Sequence, residues 1–120
     1  MIARKESNAR LSHIVEYPLS GSVVVLSGQV AENRNVDVKR QTREVLATID
    51  RLLADAGTSK ERLISAQIWL ADISDFDDMN AVWDEWVSKS EPPARACVEG
   101  RFADPRLKVE IQVWALKPVG

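Results

Sequence analysis

The hydrophobic positions of this chain change period several times, and each change marks an element. Val15 to Tyr17 and Val23 to Val30 are apolar and β-branched, and they flank Pro18-Leu19-Ser20-Gly21-Ser22, so they predict an opening hairpin. From Asp37 to Ala56 the residues Val38, Val45, Leu46, Ile49, Leu52, Leu53 and Ala56 fall on the spacing of one helix face, and Gly57 stands where a left-handed C-cap belongs. Thr58-Ser59-Lys60-Glu61 has capping-box order and predicts a single turn before a strand over Leu63 to Leu70. A second helix is expected over Asp75 to Ser88, capped by Ser74 or Asp75. Its stripe is Phe76, Met79, Val82, Trp83, Trp86 and Val87, and Pro92-Pro93 closes the segment. Two strands follow, Ala94 to Phe102 and Leu107 to Leu116, joined by Ala103-Asp104-Pro105-Arg106.

The order β-β-α-β-α-β-β describes one α+β domain over residues 1–120, with a mixed sheet. Two helices cannot wrap both sides of such a sheet, so they share one face and leave the other open. Alternation then sorts the side chains. In the last strand Leu107, Val109, Ile111, Val113 and Ala115 form the core side, opposite Lys108, Glu110, Gln112, Trp114 and Leu116. In the strand before it Ala94, Ala96, Val98, Gly100 and Phe102 form the apolar side, which leaves Arg95, Cys97, Glu99 and Arg101 facing away from the helices. An open face bearing Trp69, Trp114, Val23 or Leu26 is too apolar for water, and another subunit is expected to cover it.

Charge and composition narrow the function classes. Sixteen basic against eighteen acidic residues give a net charge of -2, which is no footprint for nucleic acid or an anionic membrane. One cysteine and one histidine cannot build a disulfide framework or a Cys/His metal cluster within one chain, and such cysteine use fits the cytosol. The start Met1-Ile2-Ala3-Arg4-Lys5-Glu6 lacks the apolar run of a signal peptide, and no stretch is apolar for the length of a membrane span. Asp72, Asp75, Asp77 and Asp78 sit where a helix N-terminus attracts acids, so they are read as capping groups.

Two charges stand out because they lie in segments that otherwise read as strand: Arg95 and Glu110. Two readings of Arg95 stand side by side, an ion pair with Glu99 or Glu110 and an anchor for a ligand carboxylate. Glu110 likewise reads as a structural partner of Lys108 or Arg95, or as a proton-handling group. Cys97 has no base to activate it, since the lone His13 lies in the N-terminal segment.

The landmarks in order are Ser27-Gly28-Gln29, Gln41-Thr42, Asp75-Phe76, Met79-Asn80, Pro93-Ala94-Arg95-Ala96-Cys97-Val98, Arg101-Phe102-Ala103 and Val109-Glu110-Ile111. With them the chain resembles the RidA/YjgF family of reactive intermediate deaminases, related to endoribonuclease L-PSP. The resemblance implies a chorismate-mutase-like fold and a homotrimer with clefts between subunits. It implies hydrolysis of 2-imino acids and enamines to 2-keto acids and ammonia, with neither metal nor organic cofactor. On the motif, Arg95 corresponds to the arginine that holds the substrate carboxylate, and Glu110 to the glutamate that orients water and relays protons. Cys97 corresponds to a position shaping the pocket, and Ser27-Gly28 to a small-residue turn beside the ligand. Leu11-Ser12-His13-Ile14 stands where family members acting on small imino acids carry an aromatic residue, which marks a divergent subgroup. The alternatives are a trimer that binds a small carboxylate without turning it over, and an RNA-directed translation inhibitor or ribonuclease, which the acidic balance disfavours.

Overall fold

The computed structural model describes residues 1–119. Its strands are β1 (Ala3–Ser7), β2 (Ser12–Glu16), β3 (Ser22–Val25), β4 (Leu63–Leu70), β5 (Ala94–Glu99) and β6 (Val109–Lys117), with helices α1 (Val38–Ala56) and α2 (Phe76–Trp86). The helix ends follow local chemistry. Asp37 accepts a hydrogen bond from the Arg40 amide at 2.9 Å, and Gly57 takes the left-handed conformation at φ 88° that ends α1. Single turns of 3-10 helix, Lys60–Arg62 and Ile73–Asp75, precede β4 and α2. α2 stops at Trp86, ahead of the prolines, where Val87 is already extended.

Four strands form the main sheet in the order β3-β6-β4-β5. β6 runs antiparallel to both β3 and β4, while β4 and β5 are parallel and joined across α2. The last two strands are therefore not neighbours: β6 enters between β3 and β4. Both helices pack on one face of this sheet, as alternation requires. Leu46, Ile49 and Leu53 of α1 and Met79 and Trp83 of α2 are fully buried with Ala66, Ile68, Val109, Ile111 and Val113 of the sheet. Each buried Leu, Ile, Val and Met among them contributes about 1.5–3 kcal/mol of burial. Gln41 lies within this core yet is satisfied: its Nε2 donates to the Val36 and Arg106 carbonyls at 3.1 and 3.0 Å, and its Oε1 accepts from the Lys108 amide at 2.9 Å. It pins the loops before α1 and before β6.

The N-terminal region corrects the expected hairpin. β2 pairs with β1, and β3 pairs with β6, so Val15–Tyr17 and the Val23 segment are not partners. β1 reads Ala-Arg-Lys-Glu-Ser and has no apolar alternation to announce it. What holds it is Arg4, whose side chain is 5% exposed. Its Nε meets Glu91 at 2.7 Å, Nη1 donates to the carbonyls of Leu63 and Pro92 at 2.7 and 3.0 Å, and Nη2 donates to that of Glu61 at 3.1 Å. Ser12 adds bonds from its amide to the Pro93 carbonyl and from its hydroxyl to that of Pro92. The hairpin is thereby fastened to the entrances of β4 and β5.

A second correction concerns β5. In the parallel register Arg95 lies beside Ala66 and Cys97 beside Ile68, and Ala66 and Ile68 face the core. Arg95 and Cys97 thus point toward the helices, while Ala96 and Val98 are exposed on the open face. Ala94 and Ala96 share one parity and are small enough for either face, so the pattern misleads and the register with β4 decides it.

Candidate functional site

β5 is the edge of the sheet, and Pro92-Pro93 hold the approach to it extended. From that edge Arg95 reaches across to α2. Its guanidinium carbon sits 5.2 Å from the centroid of the Trp83 ring and 6.0 Å from that of Phe76, and its Nη1 donates to Asn80 Oδ1 at 2.7 Å. Phe76, Asn80 and Trp83 are spaced i, i+4, i+7, so one helix face supplies two aromatic supports and one acceptor.

The orientation of the Asn80 amide is fixed by chemistry, because a guanidinium can only donate. Its Nδ2 is then buried with no hydrogen-bond partner among the described residues, while Asn80 as a whole is 2% exposed. Arg95 takes part in no ion pair among the described residues. Glu99, one of its expected partners, accepts instead from the Ile73 amide at 2.9 Å. Burial pulls the Arg95 pKa down from its usual value, opposed by the charges of Cys97 and Asp84 and reinforced by Arg10. A planar cation backed by indole, held at one nitrogen and lacking a carboxylate, is suited to bidentate capture of one.

Cys97 packs partly against the core, and burial pushes its thiol above the ordinary range although Arg95 pulls it down. A raised thiol without a base is a poor nucleophile. His13 lies exposed on β2. The cysteine stands beside Arg95 on the helix side, partly packed against the core.

Glu110 occupies the other side of the sheet. It is paired in register with Trp69 and half-buried, and it joins no ion pair among the described residues, so the expected link to Lys108 or Arg95 is not made. Gly28 lies directly against it, and Ser27 precedes Gly28 as an exposed residue. The Leu26 amide donates to the Val113 carbonyl at 3.1 Å and the Gln29 amide to the Ile111 carbonyl at 2.8 Å, so two residues face Gln112 alone in a bulge. A Cβ built on Gly28 would collide with the Glu110 carboxylate, 2.9 Å from its Cδ. The missing side chain at Gly28 is what admits Glu110. The same open face exposes Val23, Val25 and Val98 at 46%, 55% and 46%, around half-buried Trp69 and Trp114. Leu26, also expected there, packs against the core instead.

The five residues singled out from sequence thus fall into two groups, Arg95 with Cys97 on the helix side and Glu110 with Ser27 and Gly28 on the open side. Asn80 was missed as a functional residue. Its signal was a lone amide inside an apolar helix stripe, adjacent to Met79. Of the acidic residues at the start of α2, Asp72 caps the preceding 3-10 turn, accepting from the Ser74 amide and hydroxyl at 2.9 and 2.7 Å, whereas Asp75 makes no side-chain cap bond, so the expected cap of α2 by Ser74 or Asp75 is not formed; among the described residues no cluster of His, Cys, Asp and Glu could hold a metal. No described helix is long and apolar enough to cross a membrane.

Comparison with known proteins covers nearly all of this architecture. Residues 1–117 match the profile of the family described as Endoribonuclease L-PSP. A RutC family protein of Haemophilus influenzae is 44% identical over 115 residues, covering 95% of this chain and 97% of that protein. The RutC family protein YoaB of Escherichia coli is 37% identical over 114 residues, covering 95% and 96%. Among solved structures, a member of the YjgF protein family from Neisseria meningitidis superposes with a TM-score of 0.79 at 41% identity, over 100% of this chain and 98% of that one. With the two helices on one face of a mixed sheet and this likeness along its length, the chain belongs to the RutC/YjgF (RidA) family and has its chorismate-mutase-like α+β fold.

Proposed function

We propose that this protein hydrolyses reactive 2-imino acids and enamines to 2-keto acids and ammonia in the cytosol, in clefts between the subunits of a homotrimer. The observation that carries the reading is Arg95: a guanidinium stacked on Trp83, held by Asn80 and bound to no carboxylate among the described residues. The substrate's carboxylate takes that place, which fixes the neighbouring C=N carbon. Water adds to this carbon, the nitrogen gains a proton, and the C–N bond breaks as the C=O bond forms. One water is consumed and one ammonia leaves, with no change of oxidation state. Glu110 serves as the group that orients the water and relays its proton. Its place on the open face means that a second copy completes the cleft, and no metal or organic cofactor enters the reaction.

An amino-acid oxidase that generates 2-imino acids in situ tests the proposal. Wild-type protein is expected to accelerate keto-acid release, Arg95→Ala to abolish the acceleration, and Arg95→Lys to recover little of it, because a point charge does not orient. Equal rates with and without the protein overturn the reading. One observation favours a second reading, a carboxylate-binding trimer without turnover: β2 carries Ile14, 45% exposed, in the segment where the resemblance leads one to expect an aromatic residue. Thermal stabilisation by pyruvate with no turnover of any imino acid would select it. RNA is not an expected partner at a net charge of -2.

A further inference from the structure

Asp84 threatens the anion site that the proposed function needs. It follows Asn80 by four residues on α2, so the two side chains are neighbours on one helix face, and Asn80 already touches Arg95. Trp83, adjacent in sequence, is the ring on which Arg95 rests. A free carboxylate at this position would lie within a turn of the guanidinium and compete for it. The electrostatics agree: Asp84 draws the Arg95 pKa upward, and Arg95 draws that of Asp84 downward.

Asp84 is occupied elsewhere. Arg10, from the turn between β1 and β2, donates from Nε and Nη2 to its two carboxylate oxygens, each at 2.8 Å. The turn is held for this contact. Asn8 Oδ1 accepts from the amides of Arg10 and Leu11 at 2.8 and 2.9 Å, and the Trp83 indole donates to the Arg10 carbonyl at 3.0 Å. Lys89 donates to the Asp84 backbone carbonyl at 3.0 Å, so it leaves the carboxylate to Arg10. The pair is 37% and 41% exposed, a setting in which ion pairs add little stability. Its consequence is electrostatic: one guanidinium neutralises the acid that would otherwise bind the other.

We infer that Arg10 is a positioning residue that sequesters Asp84 and so keeps Arg95 open to a ligand carboxylate. This rests on the reading of Arg95 as a carboxylate anchor. Without Arg10, Asp84 turns toward Arg95 and repels the incoming anion.

Pyruvate titrated into the full-length protein at low ionic strength, followed by calorimetry, tests the idea with Arg10→Gln, Asp84→Asn and the double variant. Arg10→Gln is expected to weaken binding roughly tenfold, an effect that added salt reduces. Asp84→Asn binds at least as tightly as wild type. The double variant, which restores the net charge of the pair, recovers affinity to within about threefold of wild type, given the usual scatter of charge substitutions. A purely structural role for the turn would leave the double variant as weak as Arg10→Gln, and that result overturns the inference, as does unchanged binding by Arg10→Gln. Wild type that fails to bind pyruvate overturns the Arg95 reading together with the inference, whereas wild-type binding with an inert Arg10 substitution overturns the inference alone.

Discussion

Gly28→Ala separates a structural effect from a functional one. The backbone at Gly28 does not lie in the left-handed region, unlike Gly21 and Gly57, so alanine is conformationally acceptable there. The added methyl meets the Glu110 side chain, 2.9 Å from Cδ and 3.1 Å from Cγ, and no backbone atom is among its nearest neighbours. Those separations lie about half an ångström or more inside ordinary carbon contact, so Glu110 must turn about its side-chain bonds. Such a turn costs about 0.5–1.5 kcal/mol if it leaves a rotamer well, and less if another well is free. For a chain of this size the loss corresponds to a fall in Tm of roughly 2–6 °C. Catalysis should suffer far more, because a displaced carboxylate no longer faces the water it orients, and misplacement of about 1 Å can cost about a hundredfold. Thermal unfolding and the oxidase-coupled assay should therefore give a small Tm shift with activity near that of Glu110→Gln, and adding Glu110→Gln to Gly28→Ala should lower activity little further. Full activity in Gly28→Ala would refute the argument that the bulge exists to admit Glu110. A Tm loss beyond about 10 °C would show that backbone, not a flexible side chain, takes the clash.

Arg4→Met should cost about 3 kcal/mol in urea unfolding, since it removes four hydrogen bonds made by a buried guanidinium, to Glu91 and to the carbonyls of Glu61, Leu63 and Pro92; a loss below about 1 kcal/mol would show that the hairpin is held otherwise. Asn80→Asp places a carboxylate against the Arg95 Nη1 and should weaken pyruvate binding more than Asn80→Ala does, so equal losses would refute the view that Arg95 must stay unpaired. Cys97, with its thiol raised by burial, is less ionised than a free cysteine at pH 8. It should be alkylated more slowly there and faster as pH rises, and Cys97→Ala should retain turnover; its inactivity would reinstate a nucleophile. Val25→Lys on the open face should shift the protein toward monomer in light scattering and lower turnover with it.

Both helices, the strand Leu63–Leu70 and the core side of β6 were legible in the sequence because their patterns are long, and Gly57 ends α1 where read. β1 was not, because a strand of Ala-Arg-Lys-Glu-Ser is held by one buried arginine and not by an apolar stripe. The topology also escaped. Nothing local in β5 or β6 says that β6 enters between β3 and β4, since that order is set by contacts between segments far apart in sequence. The motif brought Arg95, Glu110, Cys97, Ser27 and Gly28 forward but not their sides of the sheet. Parity misleads where one phase of a strand carries only small residues, as Ala94 and Ala96 do, and the other carries a charge whose partner lies on the helix side, as Arg95 does. The Ser27-Gly28 turn was read as making room for a ligand, whereas the nearest group is the Glu110 carboxylate itself.

The division of charges between the two faces bears on how the proposed reaction can be assembled. Arg95 leaves the sheet toward α2 and Glu110 leaves it on the opposite side, and with β4 between their strands the two backbones are about 10 Å apart. A small imino acid is shorter than that, so one copy of the chain cannot place both groups on one molecule. A second copy laid on the exposed Val23, Val25 and Val98 removes an apolar face from water and brings foreign strands beside Glu110. The carboxylate anchor needs no such help, because Phe76, Asn80 and Trp83 belong to the same chain as Arg95. Binding and turnover should therefore come apart: a monomerising substitution on the open face should leave pyruvate bound at Arg95 while keto-acid release stops. A monomer that still turns over substrate would place both functions within one chain and remove the reason for the cleft.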